Sequence, residues 1–353
     1  MTELHDRYYR TLKTLDTFVD RALELKPYSN TLSGFHYDLP LLKSAMTNTY
    51  VETVSSLADS LHLAIKQIPS SNIYWAYYNT VSVLSPRFNL SGRDVILAFD
   101  STDEEFYGDH QGFWIHKYTG ENGVRGKFKF LTCAIVNSDI PERIPLISVP
   151  IRVGQNMAKE VMWMLSIIRP LVYSISLCLF DRGFYSKELM LTLSNASTPS
   201  LIFVPKNKQI KRELEQMVDQ EKKKINYQFE LNKEKTILRG ETTLVFLKQI
   251  FEKKARRKFD WSFATNQSEI DLDHIVSTYK ERWRIETGFR VQDEAHILSK
   301  SKIARIRFFY FVYSQVLQLL WLVLYKEEVR FKEFLLDLYE ICRERNENTL
   351  GKG

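Results

Sequence analysis

The chain has 353 residues, 44% of them hydrophobic and 13% aromatic, with 49 Lys plus Arg against 43 Asp plus Glu and a formal net charge of +6. This is enough for a substantial core in one large domain or two to three smaller ones, and it excludes a disordered or low-complexity chain. Cys133, Cys178 and Cys342 are widely spaced in apolar surroundings, without Cys-x-x-Cys or Cys/His spacing, so reduced buried thiols are expected rather than a disulfide framework or a zinc site.

The opening Met-Thr-Glu-Leu-His-Asp-Arg has no apolar run behind a basic start, and no secretory leader is expected. Leu12, Leu15, Phe18, Val19, Ala22 and Leu23 recur at helical spacing, which predicts an N-terminal helical domain over 1–90. Ser70-Ser71 after Pro69 opens another helix through Ile73. The pattern suits a DNA-binding helix-turn-helix and equally any helical packing unit.

From Gly92 onward, apolar runs predict strands at 95–99, 128–136 and 144–153, with turn signals at Gly123, Gly126 and 139–141. A helix over 156–173, a strand over 174–180, a helix over 186–194 and a strand over 200–204 come next. An antiparallel meander followed by alternating helix and strand is the order of a ribonuclease H-like α/β fold, a mixed sheet flanked by helices.

Residues 206–258 carry 16 Lys plus Arg against 8 Asp plus Glu, a net of +8, which leaves about −2 for the other 300 residues. Such a segment suits a polyanion contact, although a solvated charge run has the same composition. It reads as a polar helix near 209–224 and strands at 227–231, 236–238 and 242–247, a mostly β basic insertion over 207–258. A strand over 259–266, a long helix over 270–294 and helices over 302–325 and 330–344 complete the chain. The ribonuclease H-like core is therefore expected over 91–206 and 259–325, with a C-terminal helix and tail over 326–353. Phe308 to Tyr325 approaches the length of a membrane span, but Ser314, Gln315 and Gln318 within it point to a buried core helix and no membrane.

Asp100 and Asp181 each follow an apolar strand-like run, Val95-Ile-Leu-Ala-Phe and Leu177-Cys-Leu-Phe. Tyr279, Arg282 and Glu286 are spaced three and then four apart, so on a helix they share one face. Singly, an aspartate after a strand is a common turn or cap residue. Jointly, three carboxylates from two strands and a helix make a site for divalent ions in phosphodiester chemistry. Asp103 is the fallback ligand beside Asp100, and Asp94 lies at the far end of that strand. His110 and His116 flank Gln-Gly-Phe-Trp and have no metal-ligand spacing.

These motifs resemble the DDE transposases of prokaryotic insertion sequences, in particular the family named for its Tyr-Arg-Glu-Lys signature, over roughly residues 91–325. The resemblance implies strand nicking and strand transfer by two Mg²⁺ ions, with Mn²⁺ as substitute, held by Asp100, Asp181 and Glu286. It implies contact of Tyr279 and Arg282 with DNA phosphates. Asp293 stands where the signature Lys would fall, so a basic neighbour, Arg290 or Lys300, is the candidate for that contact. Arg182 either reaches a phosphate or pairs with an acid, and Trp261 either stacks on a flipped base or belongs to the core. The implied partners are double-stranded DNA, as terminal inverted repeats and target, and a second copy of the chain in a homodimer; the implied setting is a prokaryotic cytoplasm, associated with the nucleoid. A metal-dependent nuclease of the same fold, or a catalytically silent DNA-binding derivative, are the alternatives.

Overall fold

Leu12, Leu15, Phe18, Val19, Ala22 and Leu23 form one stripe of helix α1 (Glu3–Leu23), and all six are buried. The computed structural model describes residues 3–25, 32–109, 112–118, 120, 123–140, 143–233, 236–252 and 256–350. After α1 come α2 (Gly34–Thr47), α3 (Val51–Val54), α4 (Ala58–Gln67) and α5 (Ser70–Leu84), and then the strands β1 (Asp94–Phe106), β2 (His116–Lys117), β3 (Gly126–Ile135) and β4 (Ile144–Ile151). Helix α6 (Met157–Ile168), strand β5 (Ser174–Phe180), helix α7 (Lys187–Asn195) and strand β6 (Ser200–Phe203) alternate as expected. The chain continues through α8 (Lys208–Glu215), β7 (Lys222–Lys233), β8 (Thr236–Glu252) and β9 (Arg257–Thr265) to α9 (Ile275–Lys280), α10 (Trp283–Gln292), α11 (Ala304–Leu324) and α12 (Phe331–Leu350).

Local chemistry sets several of these boundaries. Asn156, Ser186 and Asn207 cap α6, α7 and α8, each side chain accepting from the backbone N–H three residues on, which satisfies a donor the helix leaves open. Pro170 has no N–H to continue α6, so the helix expected to reach 173 ends at Ile168 in a 3₁₀ turn. The polar helix expected over 209–224 stops at Glu215, and Lys222, Lys223 and Lys224 begin β7 instead, opposite Leu247, Phe246 and Val245 of β8. Cross-strand pairing overrides the polar local sequence. Lysines on this outer strand also discourage pairing with another sheet.

Among the described residues nine strands form one mixed sheet in the order β2-β3-β1-β5-β6-β9-β8-β7, with β4 also paired to β3. The pairs β1-β3 and β3-β4 are antiparallel, while β1-β5 and β5-β6 are parallel. This is the mixed sheet flanked by helices that the sequence order predicts. Strand β8 pairs with both β7 and β9, so the basic segment extends the sheet.

The N-terminal helices share one continuous hydrophobic cluster with α11 and α12. Helix α5 lies against β4, where the Tyr77 hydroxyl donates to the Pro145 carbonyl at 2.7 Å. Helix α11 has the length and composition to cross a membrane but is largely buried in the fold. Its Gln315 is fully buried and satisfied, accepting from Ser148 at 2.8 Å and donating to Thr132 at 3.4 Å. All three cysteines are free and buried.

Candidate active site

The parallel pairing of β1 with β5 ends at Phe99 opposite Phe180. Asp100, still within β1, and Asp181, just past the end of β5, are the next residues along the two chains. Phe99 and Phe180 stack at 5.0 Å within the larger cluster, whereas Ala98 and Leu179 belong to a second cluster with Ile275, Tyr279 and Ile285 of α9 and α10. Side chains alternate along a strand, so Asp100 and Asp181 emerge on the face that α9 and α10 cover. Strand β1 itself runs on to Phe106 against β3, with Asp100 opposite Thr132. The expectation that Asp100 ends its strand holds only for the parallel partner.

The helix expected over 270–294 begins at Ile275, after a turn closed by the Asp271 carboxylate on the Asp273 N–H, and breaks between Lys280 and Trp283. Backbone bonds three residues apart, Arg282 N–H to Tyr279 and Ile285 N–H to Arg282, both 3.0 Å, tighten the chain there. The break places two arginines. Arg284 donates to the carbonyls of Val136, Asn137 and Ile140 and so fastens the start of α10 to the turn after β3. Arg282 points inward, donating from Nη1 to Asp100 Oδ2 at 2.8 Å and from Nη2 to Glu286 Oε1 at 2.7 Å. Its guanidinium lies 5.8 Å from the centre of the Tyr279 ring. Tyr279, Arg282 and Glu286 therefore share one face despite the break.

The electrostatics agree with a shared location. Burial pushes the Asp100 carboxyl up to about 6; Arg282 and the Ser101 N–H oppose that rise, and Glu286 and Asp181 add to it. Burial likewise pushes the Tyr279 phenol up to about 12, against Arg282 and with Asp181 and Asp100. Burial works against the charge of Arg282, but Tyr279, Asp100, Asp181 and Glu286 outweigh it and raise its pKa.

Several other expectations change. Tyr279 and Arg282, expected to face a phosphate, are 2% and 5% exposed. Trp261 is 8% exposed on β9 and packs against Phe203, Phe259, Phe263 and Tyr279, so of its two expected roles it fills the core one. Asp103, an odd number of residues from Asp100, faces the other way and pairs with Lys127 at 3.1 Å and Lys129 at 3.5 Å. Asp94 accepts from Ser174 at the opposite end of the strand. Arg182, Arg290 and Lys300 are exposed; Arg290 stands one turn beyond Glu286, and Lys300 lies 4.7 Å over the Tyr50 ring. Asp293 is exposed at the end of α10. His116 bonds the Ile151 carbonyl at 3.0 Å, and His110 lies outside the described residues.

Trp283 was not singled out by the sequence reading. It is 44% exposed, directly after Arg282 and one turn before Glu286. A tryptophan between Arg282 and Arg284 was the available signal. Five cations of the basic segment are paired: Lys222 with Asp273, Lys223 with Glu213, Lys258 with Asp219, Lys206 with Asp260 and Arg239 with Glu230. Lys208, Lys211 and Arg212 on α8 make no ion pair among the described residues, and Lys235, Lys253 and Lys254 lie outside them.

Among the described residues no three acidic, imidazole or thiol groups already enclose a cation position. Arg282 instead bridges two of the acids, Asp100 and Glu286. Both of its hydrogen-bond acceptors are carboxylate oxygens, the hard ligands that suit a small divalent cation. The residues therefore fit such an ion once the guanidinium yields.

A family model described as the transposase DDE domain matches residues 91–320. No curated protein matches the chain significantly. Among solved structures, the chain is similar to the one titled "Cryo-EM structure of piggyBac transposase synaptic complex with hairpin DNA", with a TM-score of 0.53 and 12% identity over 97% of this chain and 81% of that one. At that identity the likeness is one of fold, and it agrees with the ribonuclease H-like sheet described above. With the matched domain spanning most of the sequence, from before Asp100 to beyond Glu286, the chain belongs to the DDE transposases, enzymes that use divalent metal ions to cut and join DNA.

Proposed function

We propose that this transposase binds the terminal inverted repeats of its own mobile element, nicks at their ends and joins the freed 3′ hydroxyl to target DNA. The observation that carries the reading is that Arg282 bonds both Asp100 and Glu286, where the β1-β5 parallel pair ends just before Asp100 and Asp181. Asp100, Asp181 and Glu286 would hold two Mg²⁺ ions, or Mn²⁺ in their place. When bound, such ions lower the pKa of the attacking water or hydroxyl and stabilise the leaving oxygen. The chain's own part is positional. Arg284 fixes α10 over the sheet, Tyr279 packs beneath Arg282, and the fold partly buries Asp100.

The Tyr279, Arg282, Glu286 face supports the Tyr-Arg-Glu-Lys lineage, with Arg290 or Lys300 supplying the phosphate contact that Asp293 cannot make. Exposed Arg182 and the unpaired cations of α8 extend a surface for DNA, whose binding should fall steeply with salt. Trp283 supports a base-stacking role at the cleaved end, and the similar structure, itself a complex with hairpin DNA, makes a hairpin intermediate the form to look for. Pairing two ends calls for a homodimer on DNA, in a prokaryotic cytoplasm at the nucleoid. Residues 91–206 with 259–325 would act as the catalytic core, and 207–258 as a DNA-facing extension.

The test is a duplex bearing the element's own terminal repeat, incubated with Mg²⁺ and a target plasmid. Wild type should nick the repeat end and produce joined product, while Asp181→Ala binds the duplex and does neither. Equal nicking by the two proteins rejects the site, and nicking without joined product favours a nuclease.

A further inference from the structure

The acids read as metal ligands under the proposed function hold a guanidinium between them, and that guanidinium is incompletely held. Arg282 is 5% exposed, gives one bond to Asp100 and one to Glu286, and leaves its buried Nε without a hydrogen-bond partner. A buried donor with no acceptor favours any arrangement that supplies one. Of its two acids, Asp100 has a side chain only 16% exposed, whereas that of Glu286 is 47% exposed. One side of the bridge is thus open to solvent. A buried guanidinium also cannot touch a DNA phosphate, so the phosphate contact implied by the signature needs a different position of the side chain.

We propose that Arg282 is an exchangeable counter-cation: it neutralises Asp100 and Glu286 in the metal-free protein, yields those carboxylates to an entering divalent ion, and then turns its guanidinium to a phosphate of the DNA end. A guanidinium and a divalent ion compete for the same oxygens, so each weakens the other's hold there. Release of Arg282 supplies the bidentate donor that a phosphate takes best. Metal loading and the grip on DNA are then linked through one residue, and by thermodynamic reciprocity each favours the other. The three-residue spacing from Tyr279 to Arg282 serves this exchange, because the Tyr279 ring, fixed in the second cluster, gives the departing guanidinium a face to slide over.

The test is Mn²⁺ binding to DNA-free protein at pH 8, measured by isothermal titration calorimetry and by electron paramagnetic resonance of the free ion, for wild type, R282Q, R282K and D181N. R282Q should bind Mn²⁺ about 5-fold or more tighter than wild type, within the usual range for coupled sites. R282K, which keeps the charge but loses the fork, should lie between them. In the second arm, affinity for a terminal-repeat duplex is measured with and without Ca²⁺, and the gain seen in wild type should shrink in R282Q. Unchanged or weaker Mn²⁺ binding by folded R282Q overturns the exchange; should R282Q fail to fold, R282K decides the same question. An undiminished Ca²⁺-linked gain overturns the phosphate half. D181N leaves Arg282's bonds in place and must lose Mn²⁺ if the acids are the ligands. Retention of Mn²⁺ by D181N would sink the site reading itself, whereas loss in D181N without gain in R282Q sinks only the exchange.

Discussion

Two buried arginines in this protein each hold a pair of carboxylates, and they are built in opposite ways. Arg345 of α12 grips Asp16 of α1 with both terminal nitrogens, at 2.8 and 3.2 Å, and stands 3.7 Å from Asp38 of α2, which is fully buried. Burial, with Asp16 beside it, holds the Asp38 carboxyl well above the ordinary range. Arg282 instead spends one nitrogen on each of two acids, one of them open to solvent. A forked grip inside a helical layer fastens the ends of the chain together. A divided grip at the rim of a sheet leaves room for exchange, which is what a catalytic site needs and a structural clamp must avoid.

The sharpest way to break this comparison is to remove a partner from each clamp. Glu286→Ala should lower nicking by on the order of 1,000-fold or more, about 4 kcal/mol of barrier, while the melting temperature stays near that of wild type. Removing Arg345 should do the reverse. Arg345→Ala leaves Asp16 unpaired beside Asp38 and should cost about 3–5 kcal/mol of stability, read as a lower urea midpoint, with nicking per folded molecule unchanged. If R345A loses nicking at full stability, the two clamps are not separable.

The tryptophans give a smaller contrast. Trp283→Ala should weaken binding of a hairpin or unpaired DNA end by about 1–3 kcal/mol without changing the melt, whereas Trp261→Ala should lower the melt and leave end binding per folded molecule intact. Fluorescence anisotropy with a labelled hairpin reads the first effect and calorimetry the second.

A pH series sharpens the account of Asp100. Its folded pKa, about 6, lies above its ordinary 3.8, so the native state binds this proton more tightly than the unfolded chain does. Its contribution to stability is then fully present below about 4 and is lost as pH rises through about 6. Metal binding runs the other way, because the ion needs the carboxylate. At subsaturating Mn²⁺, nicking should fall about tenfold per pH unit below about 6, and saturating metal should move that midpoint lower. The smallest effect belongs to the surface: Lys258→Ala, which breaks an exposed pair with Asp219 at 3.3 Å, should change stability by less than about 1 kcal/mol.

The sheet was legible, and with it the positions of Asp100 and Asp181, because an apolar run closed by an aspartate marks both a buried strand and the place where its burial stops. The rest needed tertiary information. Nothing local in Glu281-Arg282 breaks a helix; the break comes from Arg282 and Arg284 being drawn to Asp100 and to the turn after β3. The lysines of β7 read as helix until Leu247, Phe246 and Val245 are seen opposite them. Trp261 could have been placed correctly, since Phe259, Trp261 and Phe263 alternate at the strand period and share one apolar face. The net charge of 206–258 overstated its free cations, because acids within and beyond the segment pair with several of them.

The most direct measurement is the anomalous scattering of crystals soaked in Mn²⁺. The expected result is manganese density bounded by the carboxylates of Asp100 and Asp181 with Glu286 beside it, absent from D181N crystals. Manganese bound elsewhere, or bound unchanged in D181N, would contradict the claim that these three acids form the metal site.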